Sequence, residues 1–245
     1  MAKLLSLVIP AYNEEKTIES IIRTVFSLQM PQDWEIEAIV VNDHSKDTTA
    51  SIVSKLTSEF PKLVFVSNEQ NLGKSRSVKK GILLTKGDFV AIQDADLEYD
   101  PKDLITMLKK AISEDLDVVF GNRFGKQNKL IYPTYYLGNM GVSLFSNIFT
   151  FPRMGKIVPD MEVCYKLIKG DVFRSIAQKL TATSTFGFEP EVTAKVARYR
   201  DSSNKKLTFG VLPISYNPRS FAEGKKILWS DGVKALIEIM AYNLL

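Results

Sequence analysis

The chain has 245 residues, of which 45% are hydrophobic and 24% are charged, and its formal net charge is +4. This length and composition are typical of a globular protein with one large or two small domains, and they exclude a disordered chain. The single cysteine, Cys164, excludes a disulfide framework and suits a reducing cytosol, whereas the mild positive charge is only weak evidence for anionic ligands or an anionic membrane surface.

Strand and helix patterns alternate along the first half of the chain. The strand candidates are continuous apolar runs, which is typical of a parallel sheet that helices cover on both faces. We therefore predict an α/β fold with a mostly parallel central sheet flanked by helices. The predicted strands are 4–11, 36–42, 63–68, 89–95 and 117–123, and the predicted helices are 15–28, a helix capped by Ser45, 74–84 and 101–113.

The segment 130–152 contains no charged residue and is almost long enough to span a membrane. Its polar residues, such as Asn139 and Asn147, would be costly in hydrocarbon, so we predict no membrane-spanning helix. Its aromatic residues predict one or two amphipathic helices on the membrane surface, with a buried helix pair as the alternative. The aromatic residues are Tyr132, Tyr135, Tyr136, Phe145, Phe149 and Phe151, and the flanking basic residues are Lys126, Lys129, Arg153 and Lys156.

The remaining elements are less regular. Residues 160–170 predict a strand or a strand with a turn, and residues 207–216 predict one or two strands. No repeat or linker interrupts the chain, so we predict one domain over residues 1–245. The further predicted helices are 171–180, 188–200 and 228–245.

Polar clusters follow each of the five predicted strands of the first half. In open parallel α/β sheets, ligands bind beyond the carboxyl ends of the strands, so these clusters are expected to converge on one site. This convergence is stronger evidence than any single motif. In chain order the clusters are PAYNEE, NDHSKD, NEQNLGKS, DADLE and GNRF.

Three acidic residues, Asp94, Asp96 and Glu98, follow the fourth strand directly. Carboxylates suit Mg²⁺ or Mn²⁺, which binds one or two of them together with substrate phosphate oxygens. Alternate residues of a strand point in opposite directions, so a turn at Asp96 is needed to bring both aspartates to one ion. The alternative is a solvated acidic turn that caps the helix starting at Pro101. One histidine and one cysteine cannot form a usual zinc shell.

Glycine-rich nucleotide motifs are absent from the sequence, which contains neither the dinucleotide fingerprint nor a P-loop. The NLGKS segment is compatible with contacts from Lys74 and backbone amides to a phosphate or ribose, and also with a tight turn before a helix. On its own, this segment is weak evidence for nucleotide binding.

Together these segments resemble the family-2 glycosyltransferases of GT-A fold, most closely the dolichol- or polyprenyl-phosphate mannosyl- and glucosyltransferases. The resemblance implies a nucleotide-sugar-binding half at about 1–123 and an acceptor-binding half with a C-terminal helix at about 124–245. It also implies a nucleotide sugar donor, Mg²⁺ or Mn²⁺ as cofactor and a polyprenyl phosphate acceptor. The segments that carry it are LVIPAYNEEKTI, VVNDHSKDTT, NLGKS, GDFVAIQDADLEYDP, GNRF, DMEVCYKLIKGDVF, FGFEPEVTAKVAR, LPISYNP and RSFAEGKKI.

The resemblance implies roles for individual residues. Asn139 stands about where some relatives have a second acceptor-binding arginine, which leaves the identity of the acceptor open. The implied donor-binding residues are Pro10, Tyr12, Glu14, Asp43 at the base, Lys74, Asp94, and the basic loop of Arg219, Lys225 and Lys226. The implied metal ligands are Asp94, Asp96 and Glu98. The implied acceptor-side residues are Arg123, Asn139, Asp160, Glu189 and Glu191, of which Arg123, Asp160 and Glu191, with Asp96, are the predicted catalytic residues.

The acceptor determines what chemistry the site must supply. The departing nucleoside diphosphate has to be neutralised by a divalent ion and basic side chains. A phosphate monoester with a second pKa of about 6 is already ionised and needs only a cation such as Arg123 to position it. A sugar hydroxyl would need a base, for which Asp160 and Glu191 are the candidates. We therefore predict an inverting, metal-dependent transferase that moves a hexose from GDP-mannose or UDP-glucose to a polyprenyl or dolichyl phosphate.

Three alternatives stay open at this point. They are transfer to a sugar hydroxyl in polysaccharide or glycoconjugate synthesis, nucleotidyl transfer, and a sugar-nucleotide-binding subunit without catalysis. The missing glycine-rich loop disfavours nucleotidyl transfer. We expect a cytoplasmic protein, peripheral on the cytoplasmic face of the membrane, with a membrane-protein partner left open. No nucleic-acid-binding motif accompanies the basic residues, so no nucleic-acid partner is expected.

Overall fold

Seven strands and eight α-helices make up the part of the chain that the structure describes. The computed structural model describes residues 2–129, 131–184, 187–219 and 229–244. The strands are β1 (Lys3–Ala11), β2 (Trp34–Asn42), β3 (Leu63–Ser67), β4 (Phe89–Ile92), β5 (Val118–Asn122), β6 (Lys166–Lys169) and β7 (Phe209–Pro213). The helices are α1 (Ile18–Phe26), α2 (Thr49–Leu56), α3 (Lys74–Leu84), α4 (Lys102–Ser113), α5 (Pro133–Met154), α6 (Gly170–Gln178), α7 (Phe188–Arg198) and α8 (Trp229–Leu244).

The strands form a single sheet in the order β3-β2-β1-β4-β6-β5-β7. All pairings are parallel except those of β6, which runs antiparallel to β4 and β5. The predicted mostly parallel α/β sheet is thereby confirmed. Because β6 is reversed, it begins at the edge where the parallel strands end. Residues 160–165, which precede β6, therefore lie beside the polar clusters that follow β4 and β5.

The sheet is buried on both faces because its central strands are apolar along their whole length. Val8, Val40 and Val118 have no solvent exposure, and burial of a side chain of this size contributes roughly 1.5–3 kcal/mol. Helix α3 packs closely on β1 because Gly81 has no side chain; a Cβ there would lie 2.3 Å from Val8 Cγ1. Helix α1 buries a stripe of residues spaced for one side of a helix, namely Ile18, Ile21, Ile22 and Val25.

The prediction that Ser45 caps a helix is wrong. Helix α2 begins at Thr49, and the Ser45 hydroxyl accepts a hydrogen bond from the backbone N–H of Asn13 at 3.0 Å. Thr48 is the N-cap residue and makes no capping hydrogen bond through its side chain, whereas Asp47 Oδ1, one residue earlier, accepts from the backbone N–H of Thr49 at 3.0 Å. The physical reason is that the Ser45 hydroxyl joins the loop after β2 to the loop after β1 through this hydrogen bond, so it does not cap α2.

The uncharged segment forms one long helix, α5, which packs against α7 and α8. Its inner face buries small polar residues such as Ser146 and Thr150, whereas Leu144 and Ile148 on its outer face are 72% and 63% exposed. Gly155, with a φ of 70°, ends the helix in the left-handed conformation that glycine adopts without strain. Within the described residues, no helix has both the length and the hydropathy of a membrane span.

Candidate active site

The acidic residues after β4 lie on a tight turn. Leu97 adopts a left-handed φ of 62°, which costs a non-glycine residue roughly 1–2 kcal/mol. The backbone N–H of Glu98 donates to Asp96 Oδ1 at 3.2 Å and fixes the turn. The turn that the sequence requires for a joint site of Asp94 and Asp96 is therefore present.

Lys74, the first residue of α3, pairs with this turn. Its Nζ lies 2.9 Å from Asp94 Oδ1 and 3.6 Å from Glu189 Oε1. Burial opposes the charge of Lys74, but Asp94 and Glu189 outweigh it and raise the pKa of Lys74. Burial also opposes ionisation of Asp94, but Lys74 outweighs it and lowers the pKa of Asp94. The two residues therefore form a charged pair at the edge of the sheet.

Arg219, in the loop after β7, binds the other two acids. Its Nη2 lies 2.6 Å from Asp96 Oδ2, and its Nε lies 3.2 Å from Glu98 Oε1. Its backbone N–H also donates to Glu98 Oε1 at 3.0 Å, and the Tyr216 hydroxyl donates to Glu98 Oε2 at 2.9 Å. Both oxygens of Glu98 are thus occupied by this loop, which Glu98 anchors to the acidic turn.

Negative charge remains in excess on the acidic turn. Burial, followed by the carboxylates of Asp94 and Glu98, raises the pKa of Asp96 to about 7, although Arg219 acts in the opposite direction. An acid with this pKa is only partly ionised at neutral pH. A further cation would stabilise its charged form.

Arg123, directly after β5, forms a buried ion pair with Asp160. Its backbone N and Nε donate to Asp160 Oδ2 at 3.0 and 2.7 Å, and its Nη2 donates to Oδ1 at 2.7 Å. Burial disfavours the guanidinium charge, but Asp160 outweighs it and raises the pKa of Arg123. The guanidinium carbon lies 5.2 Å from the centroid of the Tyr216 ring. Asp160 leaves the Nη1 donors of Arg123 unused.

Glu162 shares the loop before β6 with Asp160. Its Oε1 is buried and has no hydrogen-bond partner among the described residues. The ammonium of Lys166 has no solvent exposure, but it donates to the backbone carbonyls of Met161 and Val163, on either side of Glu162. Lys166 therefore fixes the backbone of this loop, and within the described residues it supplies no hydrogen bond to Glu162 Oε1.

Glu191, a predicted catalytic residue on α7, is saturated by internal partners. Its carboxylate accepts hydrogen bonds of 2.7–3.0 Å from the backbone of Thr181 and Ala182 and from the Thr181 hydroxyl. Lys195 Nζ lies 3.3 Å from its Oε1. These contacts hold the loop after α6 against α7. Both predicted candidate bases, Asp160 and Glu191, thus have full sets of partners, and a catalytic role for either stays a prediction.

Asp43, the residue predicted to contact the base, organises the loop after β3. Its Oδ1 accepts from the side chain of Asn68 and the backbone N–H of Leu72, each at 2.8 Å, and its Oδ2 accepts from the backbone N–H of Gly73 at 2.8 Å. These bonds place the loop that starts α3, and therefore Lys74. A contact from Asp43 to a nucleotide base stays a prediction.

The predicted donor residues of the first strand end border the same edge. Pro10 lies on β1 and Tyr12 follows it, with 37% of its surface exposed. Glu14 lies close enough to Arg219 for its charge to raise the pKa of that arginine. This electrostatic contact joins the loop after β1 to the loop after β7.

Two predicted residues are not joined to this group. Asn139 lies in α5, and within the described residues no hydrogen bond connects it to Arg123. Lys225, together with Lys226, lies outside the described residues. The acceptor role of Asn139 and the diphosphate role of Lys225 therefore stay predictions.

The residues present fit a divalent cation. Asp94 and Asp96 offer carboxylate oxygens, which Mg²⁺ and Mn²⁺ prefer, and the raised pKa of Asp96 marks negative charge that a cation would balance. The described residues contain no group of three or more histidine, cysteine or acidic side chains placed to hold a metal. Magnesium-type sites need only one or two protein carboxylates, because substrate phosphate oxygens and water complete the shell.

Comparisons with known proteins establish the class of protein. Residues 6–176, more than half of the chain, match the model of glycosyl transferase family 2. The chain therefore belongs to this family and is a glycosyltransferase with the α/β GT-A fold.

Individual relatives are more distant. An uncharacterised protein of Methanocaldococcus jannaschii is 29% identical over 179 residues, which cover 69% of this chain and 73% of that protein. A bactoprenol glucosyl transferase of Shigella phage SfX is 35% identical over 119 residues, which cover 49% of this chain and 39% of the phage protein. The match to the phage protein therefore spans about two fifths of its length.

Solved structures confirm the fold. Glucosyl-3-phosphoglycerate synthase from Mycobacterium tuberculosis superimposes with a TM-score of 0.68 at 18% sequence identity, over 99% of this chain and 81% of the synthase. Another structure of that synthase contains Mn²⁺, UDP-glucose and phosphoglyceric acid, and superimposes with a TM-score of 0.67. At this level of identity, the similarity shows a shared fold.

Proposed function

We propose that the protein is an inverting, metal-dependent hexosyltransferase that uses a nucleotide sugar, UDP-glucose or GDP-mannose, and a polyprenyl or dolichyl phosphate acceptor. The observation that carries this proposal is the charge arrangement at the ends of β4 and β5. Acidic residues that suit a divalent cation lie there beside Lys74, Arg219 and Arg123, three cations that suit phosphate groups.

The donor diphosphate would bind between the acidic turn and the two cations that pair with it. Lys74 and Arg219 contact Asp94 and Asp96, and both cations would bind phosphate oxygens of the donor if a metal ion neutralised the carboxylates. Such neutralisation of the leaving group is the main electrostatic requirement of glycosyl transfer. We extend the role to Lys225, which follows Arg219 in the same basic loop of the sequence.

Asp94 and Asp96 would hold the metal, with Glu98 behind them as the anchor of the Arg219 loop. A bound Mg²⁺ or Mn²⁺ would supply Lewis-acid stabilisation of the departing diphosphate. The synthase structure that contains Mn²⁺ together with UDP-glucose supports a metal in this fold. The choice between Mg²⁺ and Mn²⁺ is part of the experiment below.

Arg123 would bind the acceptor phosphate. Asp160 fixes the plane of the guanidinium through Nε and Nη2, so the Nη1 donors, which Asp160 does not occupy, have a defined direction. A phosphate oxygen of the acceptor would attack the anomeric carbon as the bond from that carbon to the nucleoside diphosphate breaks. One displacement inverts the anomeric configuration, and no base is required because the phosphate is already ionised.

The acceptor's lipid chain is supported by two observations. The phage relative is named a bactoprenol glucosyl transferase, and a cavity of about 480 Å³ is lined both by residues of the acidic turn and by residues that precede α5. Glu98, Tyr216, Asn128 and Lys129 are among the residues that line this cavity. It would give a phosphate head group access to the site from the side of α5.

The outer faces of α5 and α8 support contact with a membrane surface. They expose large apolar residues in one stripe on each helix, and exposed lysines such as Lys156 and Lys234 adjoin them. An apolar face with basic neighbours suits anionic lipids. Phe145 and Phe149 are partly buried against the core, so aliphatic residues form most of the exposed face, and membrane contact by the aromatic residues stays a prediction. The exposed residues are Leu137, Met140, Leu144, Ile148 and Phe151 on α5, and Val233, Ile237, Met240 and Leu244 on α8.

Vesicle flotation tests the membrane contact. We expect the protein to float with vesicles of phosphatidylcholine and phosphatidylglycerol, and the variant Leu144→Asp to float several-fold less. Leu83→Asp, an exposed leucine on α3, is the matched control and should float like wild type. Equal flotation of all three proteins, or none, would refute contact through this face.

The transfer reaction is tested with a panel of labelled donors. UDP-glucose and GDP-mannose are each incubated with Mn²⁺ or Mg²⁺ and a polyprenyl phosphate, and label is measured in the organic phase. We expect one donor to transfer and Asp96→Ala to be inactive. Persistent transfer by Asp96→Ala would refute the proposal that Asp96 binds the metal ion.

Transfer to a sugar hydroxyl is the second candidate function. The buried Oε1 of Glu162, which has no hydrogen-bond partner among the described residues, favours it, because a carboxylate oxygen there could take the proton of a hydroxyl nucleophile. Label that appears on soluble sugars and not on polyprenyl phosphate would favour this candidate. The family match favours both glycosyl-transfer candidates over nucleotidyl transfer.

A further inference from the structure

The loop before β6 contains a carboxyl group that no predicted role uses. Glu162 lies in the loop 160–165, at the edge of the sheet where β4 and β5 end. The register places this loop against both strand ends, because Lys166 pairs with Phe120 of β5 and Ile168 pairs with Val90 of β4. Glu162 is therefore on the same edge as Arg123 and the acidic turn.

Every other acid on this side of the site has a partner. Asp160 binds Arg123, Glu189 lies 3.6 Å from Lys74, and Glu191 binds the loop after α6. Glu162 Oε1 is buried without a hydrogen bond in the part of the chain that the structure describes. A buried oxygen of this kind costs about 1–3 kcal/mol unless a ligand completes its hydrogen bonding.

We propose that Glu162 is an acceptor-positioning residue whose protonated carboxyl group donates a hydrogen bond to the anionic oxygen that Arg123 binds. The proposal rests on the proposed function for the identity of that oxygen, which belongs to the acceptor phosphate. In this proposal, Glu162 is the acid that contacts the acceptor, in place of Asp160 and Glu191.

The charges that face Glu162 favour the protonated form. Burial, followed by Glu189 of α7, raises the pKa of Glu162 to about 8, Asp160 adds to this effect, and Lys166 of β6 and Arg123 oppose it. The second pKa of a phosphate monoester is about 6. A proton shared by the two groups would therefore stay on Glu162, and the phosphate would stay fully ionised as the nucleophile.

A carboxylate at this position would repel the same phosphate. Lys166 offsets this repulsion only in part, because its ammonium is held by the carbonyls of Met161 and Val163. Acceptor affinity should therefore fall as pH rises through the pKa of Glu162. The sign distinguishes this role from that of a general base, for which ionisation of Glu162 would increase activity.

The experiment measures the acceptor KM between pH 6.5 and 9.5, with farnesyl phosphate as the acceptor and the donor that the panel identifies. In wild type, we expect KM to rise about tenfold for each pH unit above the pKa of Glu162, with little change in kcat. Glu162→Gln keeps a hydrogen-bond donor and cannot ionise, so its KM should be independent of pH. Glu162→Ala should raise KM about tenfold at pH 7. Glu238→Gln is the matched control and should behave like wild type, because Glu238 Oε2 is also buried without a hydrogen-bond partner among the residues that the structure describes.

A second readout does not need activity. In protein labelled with ¹³C at the glutamate carboxyl carbons, one resonance should titrate near pH 8 and should be absent in Glu162→Gln. No such resonance, or the same pH dependence of KM in Glu162→Gln and wild type, would overturn this inference while transfer to farnesyl phosphate still supports the proposed function. A resonance near pH 8 without any transfer to farnesyl phosphate would overturn the proposed function and, with it, the phosphate partner of Glu162. Loss of kcat in Glu162→Gln, with wild-type kcat rising through pH 8, would assign Glu162 as a base and contradict the proposal.

Discussion

The two halves of the strand-end edge hold their carboxylates in different ways. In the half formed by β1, β2 and β3, Asp43 accepts hydrogen bonds from uncharged groups of the neighbouring loop. In the half formed by β4, β5 and β6, Asp94, Asp96 and Asp160 are paired with full cations that come from other elements.

The β1–β3 half therefore organises a loop, whereas the β4–β6 half keeps negative charge that a bound cation would neutralise. Amide groups hold Asp43 in place and shape the loop before α3. The β4–β5 half contains two acids, Asp96 and Glu162, whose pKa values are raised to about 7 and about 8. Buried charge that is incompletely balanced is typical of a functional site. We therefore expect substitutions in the two halves to have different consequences.

The largest expected effect comes from the buried pair of Arg123 and Asp160. Asp160→Asn leaves the guanidinium without its counter-charge, and breaking a buried pair in this way costs about 3–5 kcal/mol. The free energy of unfolding in urea measures the loss. Glu59→Gln is the matched control, because Glu59 also binds an arginine, Arg23, through both oxygens but is 49% exposed. Its loss of stability should be much smaller, because solvent screens an exposed pair, and an equal loss in both variants would contradict the importance of burial.

Asp96→Asn should have the next largest effect, on catalysis. Loss of one preorganised electrostatic group in an active site lowers kcat by about 10²–10³-fold. Transfer of labelled hexose at saturating donor measures this loss, and thermal unfolding confirms that the variant folds. Glu114 is an exposed acid at the C-terminal end of α4, and the control variant Glu114→Gln should keep wild-type kcat. Retention of more than about a tenth of wild-type kcat by Asp96→Asn would refute the role of the turn.

Asp43→Asn tests the organising half. An asparagine offers only one acceptor oxygen, so it loses part of the set of bonds to Asn68, Leu72 and Gly73, and hydrogen bonds to a charged group contribute about 1.5–3 kcal/mol. We expect a loss of stability of this size, measured by urea unfolding, together with a raised donor KM because Lys74 is displaced. A changed donor KM without any change in stability would show that Asp43 contacts the donor and does not shape the loop.

The smallest expected effect is the pH dependence of stability that Glu162 contributes. The pKa of Glu162 in the folded protein, about 8, lies above its ordinary value of 4.5. The folded protein therefore holds a proton that the unfolded chain has released, and stability falls as pH rises through this window. From pH 7 to pH 8, wild type should lose on the order of 1 kcal/mol relative to Glu162→Gln. A constant difference between the two proteins across this range would contradict the raised pKa.

Much of the fold could be predicted because it depends on local pattern. The apolar runs predicted the five parallel strands to within a few residues, and the predicted helix 74–84 coincides with α3. The reversed direction of β6 could not be predicted, because its short apolar run carries no signal of direction. A serine before a helical pattern predicts a helix cap, but for Ser45 the tertiary contact with Asn13 decides its role, and the sequence does not show that contact.

The sequence predicts which residues lie at the candidate site, but it does not predict the ion pairs and hydrogen bonds that they form. The convergence of polar clusters placed Asp94, Asp96 and Arg123 on one edge, as the structure has them. The sequence could not show that Asp160 and Glu191 are saturated, because their partners lie 37 and 10 residues away. Glu162 was missed for the same reason. The acid two residues after Asp160 was visible, but its unpaired oxygen is a property of the folded protein.

The most direct test of the account is transfer of labelled hexose to a polyprenyl phosphate in the presence of Mn²⁺, with Asp96→Asn and Arg123→Ala beside wild type. The account predicts label in the lipid product, with inverted anomeric configuration, for wild type alone. Label on a soluble sugar, or undiminished lipid product in either variant, would contradict it.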